Sequence, residues 1–295
     1  MGYGSYSAAD WSKLKASRQL SNTNRVDEIY ISKSCNPKFD PRYIGTRECF
    51  DSDDHPNSTP IVVGLDVTGS MGYLAVKVAT EALNELIMKL YSTNSIEDPA
   101  LMCAAYGDYD DASPLQVTQF ESDIRIVEQL LELYFENGGQ GQVVPTCLWH
   151  FLANHTNIDA INKRNQKGFV FTIGDNASIR NSISPAITVR KVMGDIIEAT
   201  SPEDVLKKAE KKFHLFHIMI GRDNPFNRQL MNGHAMTIQE TDIDLIPQII
   251  ISTIQLQNGK ELKTILEQWD ALERPRLGNI LGQLQIRTTK RGFFL

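Results

Sequence analysis

The 295-residue sequence predicts an α/β protein with a mainly parallel central sheet covered by helices on both faces. Three observations carry this. Short apolar runs recur at residues 61–66, 101–106, 168–173 and 213–220, the pattern of strands buried on both sides. Stretches with apolar residues at helical spacing lie between them. The first three runs also end in turns that contain both Gly and Asp. Strands alternating with helices form βαβ units, because parallel neighbours need a crossover between them.

The elements follow in order. Residues 1–58 are polar and turn-rich, with nine Ser or Thr before residue 50 and one candidate helix at 8–20. They read as an N-terminal extension without its own core. The first strand, 61–66, leads through the turn 67–72 into a helix over 73–91, carried by Leu74, Val78, Ala82, Leu86 and Leu90. The second strand closes on Gly107-Asp108-Tyr109-Asp110-Asp111. Residues 115–120 alternate like an edge strand, and Ser122-Asp123 caps a helix to Leu133. After the loop 137–141, Pro145 starts a helix to about Asn154. The third strand ends at Gly174-Asp175. Helices follow at 186–199 and, capped by Ser201, to Lys212. Strands at 213–220 and 235–238 precede a helix at 243–257, where Pro247 is tolerable only near the first turn. A last helix at 260–272 leads to a basic tail. The expected division is therefore 1–58, a core domain at 59–257, and a C-terminal helix and tail at 258–295.

Composition narrows the function. Hydrophobic residues make up 41% and charged residues 22%, which excludes wholesale disorder. The net charge of −6 argues against a dedicated nucleic-acid binder. It divides into +5 from Arg274 onward (Arg274, Arg276, Arg287, Lys290, Arg291) and −11 before it. No apolar run approaches the ~20 residues of a membrane span. The first residues lack an apolar signal core, and Tyr6 stands where a myristoylation pattern needs Ser or Thr. Cys35, Cys49, Cys103 and Cys147 are too scattered for a disulfide framework, so a reducing cytoplasm is the expected setting. Cys35, Cys49 and His55 fit no standard zinc spacing.

Ligands of open α/β sheets sit at the carboxyl ends of strands, where the strand order reverses. Those ends carry Asp66, Thr68 and Ser70, then Asp108, Asp110 and Asp111, then Asp175. All are oxygen donors, suited to a hard divalent cation. A carboxylate and two hydroxyls at alternate positions in one turn supply several ligands from a single loop. Asp66 also has a plainer reading as a turn residue or helix cap. The acidic run 108–111 reads either as a solvated turn or as a rim that holds a second cation or selects a basic partner.

Leu65-Asp66-Val67-Thr68-Gly69-Ser70-Met71 resembles the first loop of the metal-ion-dependent adhesion site of von Willebrand factor A domains, normally Asp-x-Ser-x-Ser. Here Thr68 keeps the hydroxyl. The resemblance covers about residues 60–257 and includes the helix after the motif, the Gly138-Gly139 loop and the later Asp175. It implies a Rossmann-like sheet of order 3-2-1-4-5-6 with an antiparallel edge strand, and a metal between the first and third apolar strands. It implies Thr68 and Ser70 as direct ligands of Mg²⁺ or Mn²⁺, and Asp66 as a ligand directly or through water. A second-loop Thr, here Thr146 with Gln140 or Gln142 as alternatives, and the third-loop Asp175 complete the set. The third loop departs from the usual Thr-Asp-Gly, reading Thr172-Ile173-Gly174-Asp175. A partner protein's Asp or Glu would complete the coordination.

Other chemistries find little support. His214 and His217 fall on opposite faces of a strand, and His150 and His155, five apart, share a helix face badly. There is no P-loop and no nucleophile elbow. A haloacid-dehalogenase-type phosphatase needs a second Asp where Thr68 stands. The expected function is divalent-metal-dependent protein binding without catalysis, with the oligomeric state open. Its rivals are a metal-dependent phosphoesterase on the same face and a scaffold that binds through its extensions. The basic tail reads either as a solvated end or as a docking segment, in which Arg287, Lys290 and Arg291 meet an acidic surface and Phe293 and Phe294 form an apolar anchor.

Overall fold

In the computed structural model, residues 4–136, 138–139, 142–175, 179, 183–198 and 200–286 are described. The strands are β1 (Arg47–Cys49), β2 (Thr59–Asp66), β3 (Pro99–Tyr106), β4 (Leu115–Val117), β5 (Thr156–Ile158), β6 (Gly168–Gly174), β7 (Phe213–Ile220) and β8 (Ala235–Ile238). Six of them form one sheet in the order β4-β3-β2-β6-β7-β8. All neighbours are parallel except β3 and β4. Counted along the chain within this sheet, the order is 3-2-1-4-5-6 with an antiparallel edge, as expected.

The apolar runs become central strands because each of their residues has a covered side. Along β2, Ile61, Val63 and Leu65 enter one core and Val62 the other, the two-residue alternation of a strand buried on both faces. Burying each such side chain contributes about 1.5–3 kcal/mol.

The helices are α1 (Ala8–Ser17), α2 (Val26–Ile29), α3 (Gly72–Lys77), α4 (Leu83–Ser92), α5 (Arg125–Leu131), α6 (Pro145–Asn154), α7 (Asp159–Arg164), α8 (Pro185–Met193), α9 (Pro202–Ala209), α10 (Pro225–Met231), α11 (Ile246–Gln257), α12 (Leu262–Glu267) and α13 (Arg274–Leu281). One face of the sheet carries α3, α4 and α11, and the other carries α6, α8 and α9. A π turn, Val78–Ala82, joins α3 to α4. There the buried Thr80 hydroxyl donates to the Val76 carbonyl at 2.9 Å, a side chain competing for the helical ladder.

Several boundaries differ from expectation. The edge strand shortens to β4. The helix expected over 186–199 stops at Met193, because Gly194 turns left-handed at φ +81°. The helix expected at 243–257 begins as a 3₁₀ turn, Glu240–Leu245, and α11 carries Pro247 in its first turn. The helix expected at 260–272 shrinks to α12. The segment expected as tail forms α13, which buries Leu277, Ile280 and Leu281.

The N-terminal segment is tied into the fold. Tyr6, Trp11, Leu20, Ile29, Tyr30 and Phe39 join the α4-side core. β1 pairs in parallel with β5, Arg47 opposite Thr156 and Cys49 opposite Ile158. The candidate docking residues Arg287, Lys290, Arg291, Phe293 and Phe294 lie outside the described residues.

Candidate metal centre

β2 ends at Asp66, opposite Tyr106 at the end of β3, while Leu65 lies opposite Ile173 of β6. This is the switch point of the sheet: the chain leaves β2 for β3 on one side, and β6 lies on the other. Asp66 is 1% exposed and Thr68 is 6% exposed. Asp66 Oδ1 accepts the Thr68 backbone N–H at 2.9 Å and the Thr68 hydroxyl at 2.7 Å, a turn of the kind Asp side chains nucleate. Because the hydroxyl proton points at Asp66, the lone pairs of Thr68 Oγ1 face elsewhere. Ser70 follows in the 3₁₀ turn Gly69–Met71 with its side chain exposed.

The second loop backs onto the first. Gly69 N–H donates to the Gly138 carbonyl at 2.9 Å. Gly139 has φ +132°, and a Cβ there would lie 3.1 Å from Thr68 Cγ2, so backbone conformation and space both call for glycine. The chain then bridges Val143 to Asp108 and bonds Val144 N–H to the Gly107 carbonyl at 3.1 Å. It enters α6 with Pro145 and Thr146 in the first turn. Thr146 is 3% exposed. Gln142 spends its backbone on the neighbouring acidic turn, its N–H donating to Asp108 Oδ2 at 2.6 Å. Gln140 lies outside the described residues.

The third loop follows β6. A Cβ on Gly174 would lie 2.9 Å from Asp66 Cβ and Oδ2 and 3.2 Å from the Tyr106 hydroxyl. Asp175 is half-buried. Tyr106, 1% exposed, donates its hydroxyl to the Ile173 carbonyl at 2.9 Å. Burial, then the charges of Asp66 and Asp175, hold its pKa well above the ordinary tyrosine value. Tyr106 and Asp66 thus close on Gly174 from two sides. Sequence reasoning missed Tyr106, because only the β2–β3 register brings it there.

Of the expected donors, Asp66 and Thr68 are joined in one turn, Ser70 follows in that turn, and Asp175 and Thr146 stand on the loop after β6 and in the first turn of α6. Hard oxygen donors suit Mg²⁺ or Mn²⁺. Two glycines, Gly139 and Gly174, leave the room beside Thr68 and Asp66 that any side chain would take. The residues present thus fit a hard divalent cation.

Two of the three carboxylates of the acidic run turn inward. Asp108 is fully buried, and its carboxylate accepts from Asp110 N–H at 3.2 Å and Gln142 N–H. Asp111 is 9% exposed and accepts from Asp108 N–H at 2.7 Å. Its carboxyl pKa is raised by burial, with Glu136 and Asp108 adding to it. Both carboxylates organise the loops beside the candidate centre. Asp110 alone faces outward, 3.9 Å from Lys191.

Elsewhere, His214 and His217 do face opposite sides of β7. His214 packs on Phe169 with the rings tilted by 35°, and His217 Nδ1 lies 2.9 Å from the Thr172 hydroxyl. The cysteines are free. Burial pushes the thiols of Cys49, Cys103 and Cys147 up to about 12. Cys35, Cys49 and His55 do not gather. Among the described residues, the one group of three or more metal-capable His, Cys, Asp or Glu side chains is His150, His155 and Asp195, which corrects the expectation that the two histidines stay apart. No helix of the described residues is long and apolar enough to cross a membrane.

Strand order, switch point and loop arrangement together define a Rossmann-like α/β fold of the von Willebrand factor A type. No family model and no curated protein matches the chain. Among solved structures, it is similar to the pilus adhesin SpaC of Lactobacillus rhamnosus GG in its open conformation, with TM-score 0.47 and 11% identity over 72% of this chain and 31% of that one. It is similar to proximal thread matrix protein 1 of the mussel byssus, with TM-score 0.46 and 12% identity over 71% and 50%. It is also similar to the vWF domain of the type V pili tip protein Mfa5 of Porphyromonas gingivalis, with TM-score 0.42 and 9% identity over 69% and 97%. The chain spans about a third of the length of SpaC and half that of the byssus protein.

Proposed function

We propose that this chain is a divalent-metal-dependent protein-binding module without catalytic activity, and that its partner presents an Asp or Glu side chain. Asp66, Thr68, Ser70, Thr146 and Asp175 would hold Mg²⁺ or Mn²⁺. The supporting observation is the convergence of three loops at the switch point: Asp66 and Thr68 locked in one turn, Gly138 and Gly139 against that turn, and Gly174 against Asp66. A bound cation would supply a Lewis-acidic position for a partner's carboxylate.

The chain's own residues set the conditions for that. Tyr106, held on the Ile173 carbonyl, packs beside Gly174 and Asp66 at the end of β2. Asp111 fixes the acidic turn through the Asp108 N–H, and Asp108 in turn holds the second loop through the Gln142 N–H, so the loop that carries Thr146 is anchored before any partner arrives. Ser70 is the exposed member of the set and marks the side a partner would approach. In this reading residues 59–257 form the binding domain, and the flanking segments are extensions packed on it.

The test is affinity capture on the intact protein, with and without EDTA, beside Asp66→Ala. Partners retained by the wild type in Mg²⁺, released by EDTA and absent from Asp66→Ala support the proposal. The same partners held equally in all three conditions contradict it.

A further inference from the structure

A second group of metal-capable side chains lies at the other end of α6 from Thr146. His150 Nε2 is 2.8 Å and His155 Nε2 is 2.7 Å from the same oxygen, Asp195 Oδ2. The three ligand atoms lie within 4.8 Å of one another. His150 is inside α6, and His155 is the residue that ends it. That irregular end turns the second ring back beside the first, which uniform helical spacing would not allow. Asp195 follows α8 directly, after the left-handed turn at Gly194. A Cβ on Gly194 would meet nothing within 4 Å, so the glycine answers to the backbone turn alone.

The hydrogen bonds at the rear of the rings decide what the front can do. His155 Nδ1 lies 3.0 Å from the Gly45 carbonyl. A carbonyl only accepts, so Nδ1 carries the hydrogen. In the neutral ring Nε2 is then a lone pair, aimed at a carboxylate oxygen that is also an acceptor. Two acceptors at 2.7 Å need a proton or a cation between them. A ring held by Nδ1–H on a backbone carbonyl, with Nε2 presented forward, is the arrangement by which proteins orient metal-ligating histidines. The rest of the surround is fixed as well. Asn154 Nδ2 donates to the His150 carbonyl at 2.9 Å. Phe151 stacks on the His155 ring, with centroids 5.4 Å apart. Arg47 N–H of β1 donates to the His155 carbonyl at 2.8 Å. The cluster is buried at His150 and opens to solvent at Asp195, whose side chain is 28% exposed.

We propose that His150, His155 and Asp195 form a binding site for a zinc-class divalent cation, separate from the strand-end centre. Two imidazoles and one carboxylate are the donors of a three-ligand zinc site that leaves one position for water. Tetrahedral ligands at about 2.0–2.1 Å from zinc stand roughly 3.3 Å apart. Asp195 therefore retreats by about half an ångström when the cation replaces the hydrogen bonds, along its exposed side. Bound zinc would join three pieces of chain: the segment around Gly45, the end of α6, and the turn after α8. Mg²⁺, which demands oxygen ligands, is a poor occupant.

The test uses the intact protein carrying Asp66→Ala, which silences the strand-end centre, titrated with Zn²⁺ alone by calorimetry and with Co²⁺ by visible absorption. The expected result is one equivalent bound, a Co²⁺ spectrum of tetrahedral nitrogen and oxygen ligation, and no response to Mg²⁺. Asp195→Asn and His155→Gln, added to that background, should each weaken Zn²⁺ binding at least 10-fold, the cost of losing even an outer partner of a metal ligand. Their melting without metal reports whether they fold. If they do not, the Co²⁺ spectrum of the Asp66→Ala protein decides on its own. Zn²⁺ binding unchanged in both folded variants, or no Zn²⁺ or Co²⁺ bound to the Asp66→Ala protein, overturns the proposal.

Discussion

Gly174→Ala probes the candidate centre without touching any of its donors. The added Cβ would sit 2.9 Å from both Asp66 Cβ and Asp66 Oδ2, where ordinary contact begins at 3.4 Å. About half an ångström must be found. It cannot come from a flexible tip, because Asp66 is buried, its carboxylate is held by two bonds from Thr68, and Tyr106 blocks the other side at 3.2 Å. Overpacking of this kind costs about 1–3 kcal/mol, and the lower entropy of the unfolded alanine chain returns about 0.4–1. The net loss is then about 1–2 kcal/mol. At about 2–4 °C per kcal/mol for a domain of this class, the melting temperature falls by roughly 2–8 °C. Displacing Asp66 should weaken Mg²⁺ binding as well. Gly45→Ala is the control: a Cβ there meets nothing within 4 Å, and it should stay within about 0.5 kcal/mol of wild type. The assay is urea unfolding with a parallel metal titration. Gly174→Ala matching Gly45→Ala in both would refute the close packing of β6 against Asp66.

Three further outcomes are expected. Burial pushes the pKa of His217 down to about 4. Between pH 6.5 and 4 the unfolded chain therefore takes up a proton that the fold refuses, and stability falls as pH falls, by about 3 kcal/mol across that window; His217→Gln should flatten this slope in urea unfolding, and an unchanged slope refutes it. Asp51 accepts from Arg164 at 2.7 Å and lies 3.3 Å from Lys163. Burial alone would raise its carboxyl, but Arg164 and then Lys163 outweigh that and hold it below the ordinary value. Its stabilisation is thus complete near neutrality and lost only as pH falls through that depressed value, so Asp51→Asn should cost about 1–3 kcal/mol at pH 7, and a cost under 0.5 would contradict it. Cys49, Cys103 and Cys147 should resist thiol reagents in the native protein and react only on unfolding, with fast native labelling of any of them as the contrary result.

Much of the fold is legible along the chain because its signals are local. The four central strands are apolar runs with alternate residues facing two cores, and α6 and α9 begin at prolines whose fixed φ suits a first turn. What the sequence hides depends on pairing over distance. β1 and β5 are three residues each and show no periodicity, yet they join Arg47 to Thr156. α13 opens Arg274-Pro275-Arg276, which looks like a tail until Leu277, Ile280 and Leu281 are seen against the core. The candidate centre divides in the same way. Asp66, Thr68 and Ser70 fall within five residues of one turn and are readable. Tyr106 matters only through strand register, and Asp108 and Asp111 look like a solvated run although their carboxylates turn inward onto backbone N–H groups. His155 joins His150 only because α6 ends there.

We propose that the loop after β2 holds a hard divalent cation. Calorimetric titration of the intact protein with Mg²⁺, beside Asp66→Ala, tests it most directly, because Mg²⁺ discriminates against the imidazole cluster. The expected result is one equivalent bound by the wild type, with stability raised by about 2.7 kcal/mol at a hundredfold excess over the dissociation constant, and both effects lost in Asp66→Ala. Equal Mg²⁺ affinity in the two proteins, or none in the wild type, would contradict it.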